Sequence, residues 1–141
     1  MPGLLVVDTS VLVAVERQKL PLDALHEVQP GARLALSAIT VSELLHGYHR
    51  GRPRARQLAR QRFISALLER LEVLSFDLAV AREHGRAWAE LAGRGEVIGP
   101  HDLIIAATAL AHAAPLATLN DREFGKVRTL EVRSMRPYLR P

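Results

Sequence analysis

Five of the 15 acidic residues stand out because each lies beside or at the end of an apolar run rather than in a charged stretch. Asp8 closes Leu4 to Val7, and Glu43 is embedded among Val41, Leu44 and Leu45. Asp102 follows Pro100 and precedes the run Leu103 to Ala107, while Asp121 and Glu123 come just after Leu116 to Leu119. Tens of residues separate these places, too far for local salt bridging, so only the fold can bring them together. Several carboxylates within ~4 to 6 Å of one another repel strongly and all stay ionised only around a cation. The chain has no cysteine, which removes thiolate zinc sites, iron–sulfur clusters, disulfides and cysteine nucleophiles at once. An all-oxygen set suits Mg²⁺ or Mn²⁺, and such an ion activates water and neutralises a leaving phosphate oxygen. That chemistry is phosphodiester hydrolysis.

Taken singly, each acid also has a plainer use. Asp8 can cap a following helix, and Asp102, in a helix first turn, can complement the helix dipole. Glu43 can sit at the rim of a half-buried helix, and Asp121 and Glu123 can be ordinary turn residues. Their joint placement is what carries information. The arginines cluster as well: Arg50, Arg52, Arg54, Arg56, Arg60 and Arg62 follow one another with no acid among them, and His46 and His49 stand just before. Such a run is either a solvated face or a phosphate-contacting ridge at the mouth of the acidic site, whose binding weakens with salt. Two histidines alone make a weak case for a transition-metal chelate. His101, next to Asp102, is expected close to a bound substrate.

The elements that would position these residues follow from apolar spacing. Leu4 to Val7 reads as a buried strand running into a helix over Val11 to Val15, with Thr9 or Ser10 capping it. Leu34 to Leu36 is a second strand. Val41, Leu44, Leu45 and Tyr48 then form a helical stripe that Gly47 loosens and Gly51 ends. Pro53 opens a further helix through Leu58, Phe63 and Leu67, and Leu71 to Phe76 reads as a strand. Asp77 caps a helix whose Ala81, Gly85, Trp88, Ala89 and Ala92 share a face, with Trp88 serving as core or dimer interface. Gly93 and Gly95 end it. Another helix opens at Pro100 and stops at Pro115, Leu116 to Leu119 is a strand, Asn120 to Gly125 a loop, and Val127 to Val132 the last strand. Apolar strands alternating with helices predict a parallel sheet covered on both faces.

Length supports one domain over residues 1–141. At 48% hydrophobic and 24% charged residues, disordered, collagen-like and low-complexity classes are excluded. The longest apolar runs are far short of a membrane span, and the first eight residues lack the pattern of a secretory leader, so a cytoplasmic protein with no membrane partner is expected. The net charge of +4 comes from 19 basic residues, of which Lys19 and Lys126 are the only lysines. Arginine grips phosphate best, which favours a nucleic-acid partner.

As an ordered set these segments resemble the PIN-domain ribonucleases, specifically the VapC-type toxins of toxin–antitoxin pairs, over nearly the whole chain. Leu5-Val6-Val7-Asp8-Thr9-Ser10 looks like the first acidic motif, and Ile39-Thr40-Val41-Ser42-Glu43-Leu44-Leu45-His46-Gly47 like the second. Gly99-Pro100-His101-Asp102-Leu103-Ile104-Ile105-Ala106-Ala107 is similar to the third, and Thr118-Leu119-Asn120-Asp121-Arg122-Glu123-Phe124 to the last. The resemblance implies a PIN-like three-layer α/β fold and a Mg²⁺- or Mn²⁺-dependent endoribonuclease. In it Asp8, Glu43, Asp102 and Glu123 bind metal, and Thr9, Ser10 and Asn120 form a supporting shell. The extra acid at Asp121 leaves open whether Asp121, Glu123 or both face the metal. RNA as substrate, a homodimer or larger assembly, and a VapB-like antitoxin covering the acidic site are implied with it, and Arg50, Arg52, Arg54 and Arg56 of the arginine run are the expected RNA contacts.

Two rivals are set against this reading. One is a phosphotransfer enzyme with Asp8 as covalent nucleophile. A haloacid-dehalogenase-like site wants a second Asp where Ser10 stands, and a receiver domain wants paired N-terminal acids and a lysine after a late strand; neither signature is present. The other is a noncatalytic PIN-like RNA- or partner-binding module, against which the presence of all four motif acids argues.

Overall fold

The computed structural model describes residues 3–141. Its centre is a five-stranded sheet in the order β3-β2-β1-β4-β5, with every neighbouring pair parallel. The strands are β1 (Leu4–Val7), β2 (Arg33–Ser37), β3 (Glu72–Leu74), β4 (Leu116–Thr118) and β5 (Val132–Ser134). Between them run α1 (Thr9–Glu16), α2 (Ala24–Val28), α3 (Ala38–Arg50), α4 (Arg54–Arg70), α5 (Leu78–Gly93), α6 (Pro100–Ala111) and α7 (Asp121–Phe124).

Residues of a strand point alternately to its two faces, and β1 shows why it reads as wholly apolar. Leu5 and Val7 enter a core with Val11 and Leu12 of α1, Leu44 of α3, and Ile64 and Leu67 of α4. Val6 enters a second core with Ala87 and Leu91 of α5, Leu103, Ile105, Ala106 and Ala109 of α6, and Phe124 of α7. The result is the expected three-layer α/β arrangement, with helices on both faces. The chain leaves β1 for β2 on one side, while β4 and β5 lie on the other. The crevice beyond the carboxyl ends of β1 and β4 is therefore the topological switch point, where ligands bind in open parallel sheets.

Most helix ends follow the expected signals. Asp77 caps α5, its Oδ1 accepting from Val80 N–H at 3.0 Å. After α5 the chain turns at Gly95, whose positive φ of 68° suits a residue without Cβ. Pro100 occupies the first turn of α6.

Several expectations are corrected. α2 was not legible in the sequence; it is a single short helix whose Ala24 and Leu25 fill the first core. Neither Thr9 nor Ser10 caps α1: Asp8 holds the N-cap position, and no side chain makes a cap hydrogen bond there. Gly47 does not loosen α3, which continues to Arg50. An added Cβ at Gly47 would collide with the guanidinium of Arg60, which reaches past it to Glu16 at 2.5 and 2.7 Å and to the Leu44 carbonyl at 3.1 Å. Arg60 is thus a brace tying α4 to α1 and α3, not part of a solvated ridge.

The buried face of α5 is not the one shared by Ala81, Gly85, Trp88, Ala89 and Ala92. Val80, Ala87 and Leu91 are buried, whereas Trp88 is 61% exposed, so Trp88 is not a core residue. Strand β3 is shorter than Leu71 to Phe76, because Leu71 ends α4. The expected loop after β4 contains α7, since burying Phe124 draws the chain into a helical turn. The last strand is not Val127 to Val132. Val127 and Leu130 pack into the second core from turns bonded to Phe124 and Val127 carbonyls, both at 3.1 Å, and only Val132 to Ser134 pairs with β4. Among the described residues no helix is long and apolar enough to cross a membrane.

Candidate active site

The carboxyl edge at β1 and β4 is built from hydroxyls and carboxylates. Pairing of Val7 with Ala117 puts the next residues, Asp8 and Thr118, side by side where both strands end. Asp8 is 1% exposed and Thr118 wholly buried. Asp8 Oδ2 accepts from Ser10 Oγ at 2.6 Å and from Thr118 Oγ1 at 2.8 Å. Ser10 Oγ in turn accepts from Leu119 N–H at 3.2 Å, and Thr118 Oγ1 from Asn120 N–H at 2.9 Å. Burial raises the Asp8 carboxyl above its usual range, the hydroxyls and the Thr9 backbone N–H oppose that rise, and the Glu43 charge adds to it.

Glu43 arrives from the second turn of α3. Its Oε1 accepts from Thr9 Oγ1 at 2.8 Å, and its Oε2 lies 3.5 Å from His101 Nδ1. Thr9 also sits 3.0 Å from the Thr40 hydroxyl, so the start of α1 is keyed to α3. Asp102 comes from the first turn of α6. Its carboxyl is pushed up to about 6, first by burial and then by the charges of Asp8, Glu43 and Glu123, with His101 pulling the other way. Glu123, from α7, accepts from Gly99 N–H at 3.3 Å through Oε1 and from Lys126 Nζ at 3.2 Å through Oε2.

The four motif acids are therefore gathered at one edge, near enough for each of the other three to act on Asp102. Among the described residues no three Asp, Glu or His side chains yet form a group that could hold an ion; Glu43 and Glu123 are committed to the partners just named. Asp121 behaves differently from Glu123. Its Oδ2 is 3.8 Å from Arg136 Nε, its Oδ1 is buried without a hydrogen-bond partner, and it is not among the charges that raise Asp102.

Of the supporting residues, Thr9 and Ser10 touch the acids directly. Asn120 meets the cluster only through its backbone N–H, and Thr118 supplies the hydroxyl. Thr118 and Lys126 were missed as site residues. The signal for Thr118 was its position at the end of an apolar strand, but its neighbour across the sheet depends on register. Arg50, Arg52, Arg54 and Arg56 are exposed at the α3–α4 junction. Arg50 lies seven residues beyond Glu43 on α3, about 10 Å along the axis, so the ridge begins two turns away rather than at the mouth of the site.

Three comparisons bear on this arrangement. The PIN domain family model matches residues 5–130. Ribonuclease VapC1 of Rickettsia felis (strain ATCC VR-1525 / URRWXCal2) is 30% identical over 128 residues, 91% of this chain and 93% of its own. The tRNA(fMet)-specific endonuclease VapC of Shigella flexneri is 35% identical over 95 residues, 67% of this chain and 70% of its own. Among solved structures, VapBC2 from Rickettsia felis bound to a DNA fragment from their promoter superimposes with a TM-score of 0.84 at 26% identity, covering 93% of this chain and 98% of that one. VapBC-1 from nontypeable Haemophilus influenzae gives 0.81 at 28% identity, covering 93% and 97%.

Proposed function

Because this chain belongs to the PIN-domain family, in its VapC branch, we propose that it is the endoribonuclease toxin of a toxin–antitoxin pair, hydrolysing RNA phosphodiesters at the edge where β1 and β4 end. The observation that carries this reading is the convergence of Asp8, Glu43, Asp102 and Glu123 from four separate elements, where burial first and then the charges of the other three raise the Asp102 carboxyl to about 6. An arrangement that places like charges together works against folding and is retained for chemistry.

The donor set fits a hard divalent ion: carboxylate oxygens, no sulfur, and hydroxyls to orient them. Asp8 and Asp102 would be the direct ligands of Mg²⁺ or Mn²⁺, with Glu43 and Glu123 joining through the oxygens that now face His101 and Lys126. When bound, the ion supplies Lewis-acid charge for the phosphate and lowers the pKa of water. The chain's own residues do the rest. Ser10 and Thr118 hold Asp8 in one orientation, Thr9 aims Glu43, and the Gly99 N–H fixes Glu123 relative to the start of α6. The exposed arginines Arg50, Arg52, Arg54 and Arg56 bind the RNA backbone at a distance from the cut.

Two partners belong to the proposal, with the cytoplasm as the setting. One is a VapB-like antitoxin, a partner supported by the VapBC names of the structural relatives, and the proposal places it over the acidic edge. A second copy of the chain pairs through the face exposing Trp88 at 61% and Val97 at 80%; Trp88→Arg should then sediment as a monomer where the wild type sediments as a dimer.

The test is to incubate the purified protein and its Asp102→Asn variant with total RNA, in Mn²⁺ or in EDTA, and to map new 5′ ends. Ends that need both the ion and Asp102 are the expected result. Retarded but uncut RNA under every condition would instead make this a binding module.

Thr118 gives a narrower check. Valine in its place keeps the volume but leaves Asp8 with one fewer donor and Asn120 N–H without its acceptor. Stability should fall by about 1–3 kcal/mol and cleavage by roughly 10- to 100-fold. Asn120→Ala, which spares the backbone contact, should change stability by no more than about 0.5 kcal/mol, the ordinary range for exposed side chains.

A further inference from the structure

The segment Arg94 to Gly99 joins α5 to α6 and so sets where Asp102 stands. Three contacts tie it to the turn after β4. Arg94 Nη2 donates to the Lys126 carbonyl at 2.6 Å, Lys126 Nζ donates to the Val97 carbonyl at 2.9 Å, and the Gly99 N–H donates to Glu123 Oε1 at 3.3 Å. The same Lys126 ammonium lies 3.2 Å from Glu123 Oε2, and both side chains are 33% exposed. Among the described residues it is the only Lys or Arg side chain ion-paired to any of the four clustered acids.

We propose that Lys126 is an intrinsic counter-ion and positioning residue of the acidic site: it neutralises Glu123 while no divalent ion is bound and yields that carboxylate when one enters. Anchorage on the Val97 carbonyl is what allows the exchange. The ammonium keeps that contact whether or not it keeps Glu123, so the segment before α6 is not released when the carboxylate turns away. Residue type matters here. An ammonium is a compact charge that touches Glu123 through a single contact, whereas a guanidinium grips a carboxylate with two parallel bonds and lets go less readily. A lysine at this place, in a chain that otherwise uses arginine almost everywhere, is the side chain suited to a contact that must be broken.

The inference rests on the reading that these acids bind a divalent ion, and its test separates the two. Mn²⁺ binding is measured by calorimetry at fixed pH and ionic strength for the wild type, Lys126→Met and Lys126→Arg, alongside thermal melts in EDTA and in saturating Mn²⁺. Lys126→Met keeps the aliphatic stem and removes the competing charge, so its Kd for Mn²⁺ should fall about three- to tenfold, the scale of one unit charge beside an ion at a partly solvated site. Its melting temperature should drop in EDTA, and saturating Mn²⁺ should narrow the deficit to the part that loss of the Val97 carbonyl contact leaves. Lys126→Arg, the variant that decides if Lys126→Met does not fold, should bind Mn²⁺ more weakly than the wild type. Unchanged affinity in both variants, or a melting deficit that Mn²⁺ does not narrow, would make Lys126 a merely structural tie and overturn the proposal while the metal reading stood. A wild type that binds no Mn²⁺ would overturn both.

Discussion

Replacing Asp102 with asparagine should abolish RNA cleavage and yet, with no divalent ion present, raise the melting temperature. The first effect follows from chemistry: asparagine keeps the size and loses the charge of a direct ligand, and an initial-rate assay on RNA in Mn²⁺ should show a loss of at least about 100-fold, the upper end of what losing even a supporting group at a metal site costs. The second follows from electrostatics. The Asp102 carboxyl is raised to about 6 from its ordinary 3.8, because it is half-buried and faces Asp8, Glu43 and Glu123. A carboxyl whose folded-state pKa lies above its unfolded value binds its proton more tightly when folded, so ionising it opposes folding. The cost is absent below about pH 4, grows as the pH rises through the interval, and is complete above about 6. After allowance for solvent screening at a half-exposed group it is about 1 kcal/mol, or roughly 3 °C. Melts of both proteins in EDTA across pH 4 to 7.5 should show the asparagine variant ahead at neutral pH and the gap closing as the solution is acidified. A destabilised Asp102→Asn protein at pH 7 would show that Asp102 is tied into the fold by favourable contacts instead.

The arginine ridge carries the other large effect. Arg50, Arg52, Arg54 and Arg56 all project from the α3–α4 junction into solvent, and Arg54 donates to Gln57 Oε1 at 2.6 Å. Among the described residues none of the four is ion-paired to an acid. Changing all four to glutamine should leave stability within about 0.5 kcal/mol, as for other exposed positions. RNA binding should weaken, and with it the dependence on salt. Each phosphate contact on a single strand contributes about 0.7 to the slope of log K against log salt, so loss of four contacts makes that slope shallower by about 3. The measurement is a binding titration with catalytically dead protein at several salt concentrations. An unchanged slope would remove the ridge from the RNA path and return it to the solvated surface. Arg60 belongs outside this set, since its guanidinium braces Glu16 and the Leu44 carbonyl.

Much of this was legible because it is local. A buried strand reads as an apolar run, and a carboxylate at its end reads as a residue at the carboxyl edge; β1 with Asp8 and β4 with the acids after it were both recoverable in that way. Pro100 and Asp77 marked the starts of α6 and α5 for equally local reasons. The errors fall where local pattern was ambiguous. On α5 two helical faces were apolar enough to be the inner one, and only the packing of Ala87 and Leu91 against α6 and the sheet chose between them. Val127 and Leu130 could serve a strand or a turn, and burial of Phe124 just before them decided for the turn.

By itself, then, the amino-acid sequence determined the first four strands and the longer helices between them in their order, the oxygen-only character of the site, and which acids stood at strand ends or helix starts. Those properties depend on side-chain type and short-range spacing. The tertiary structure alone decided that Asp8 lies against Thr118 rather than against Asn120, that Glu123 and not Asp121 acts on Asp102, and that a lysine after α7 holds the fourth acid. Each of those outcomes is a matter of strand register and of which loop meets which across the switch point between β1 and β4, and contacts between segments distant in the chain are set by how two cores pack on one sheet.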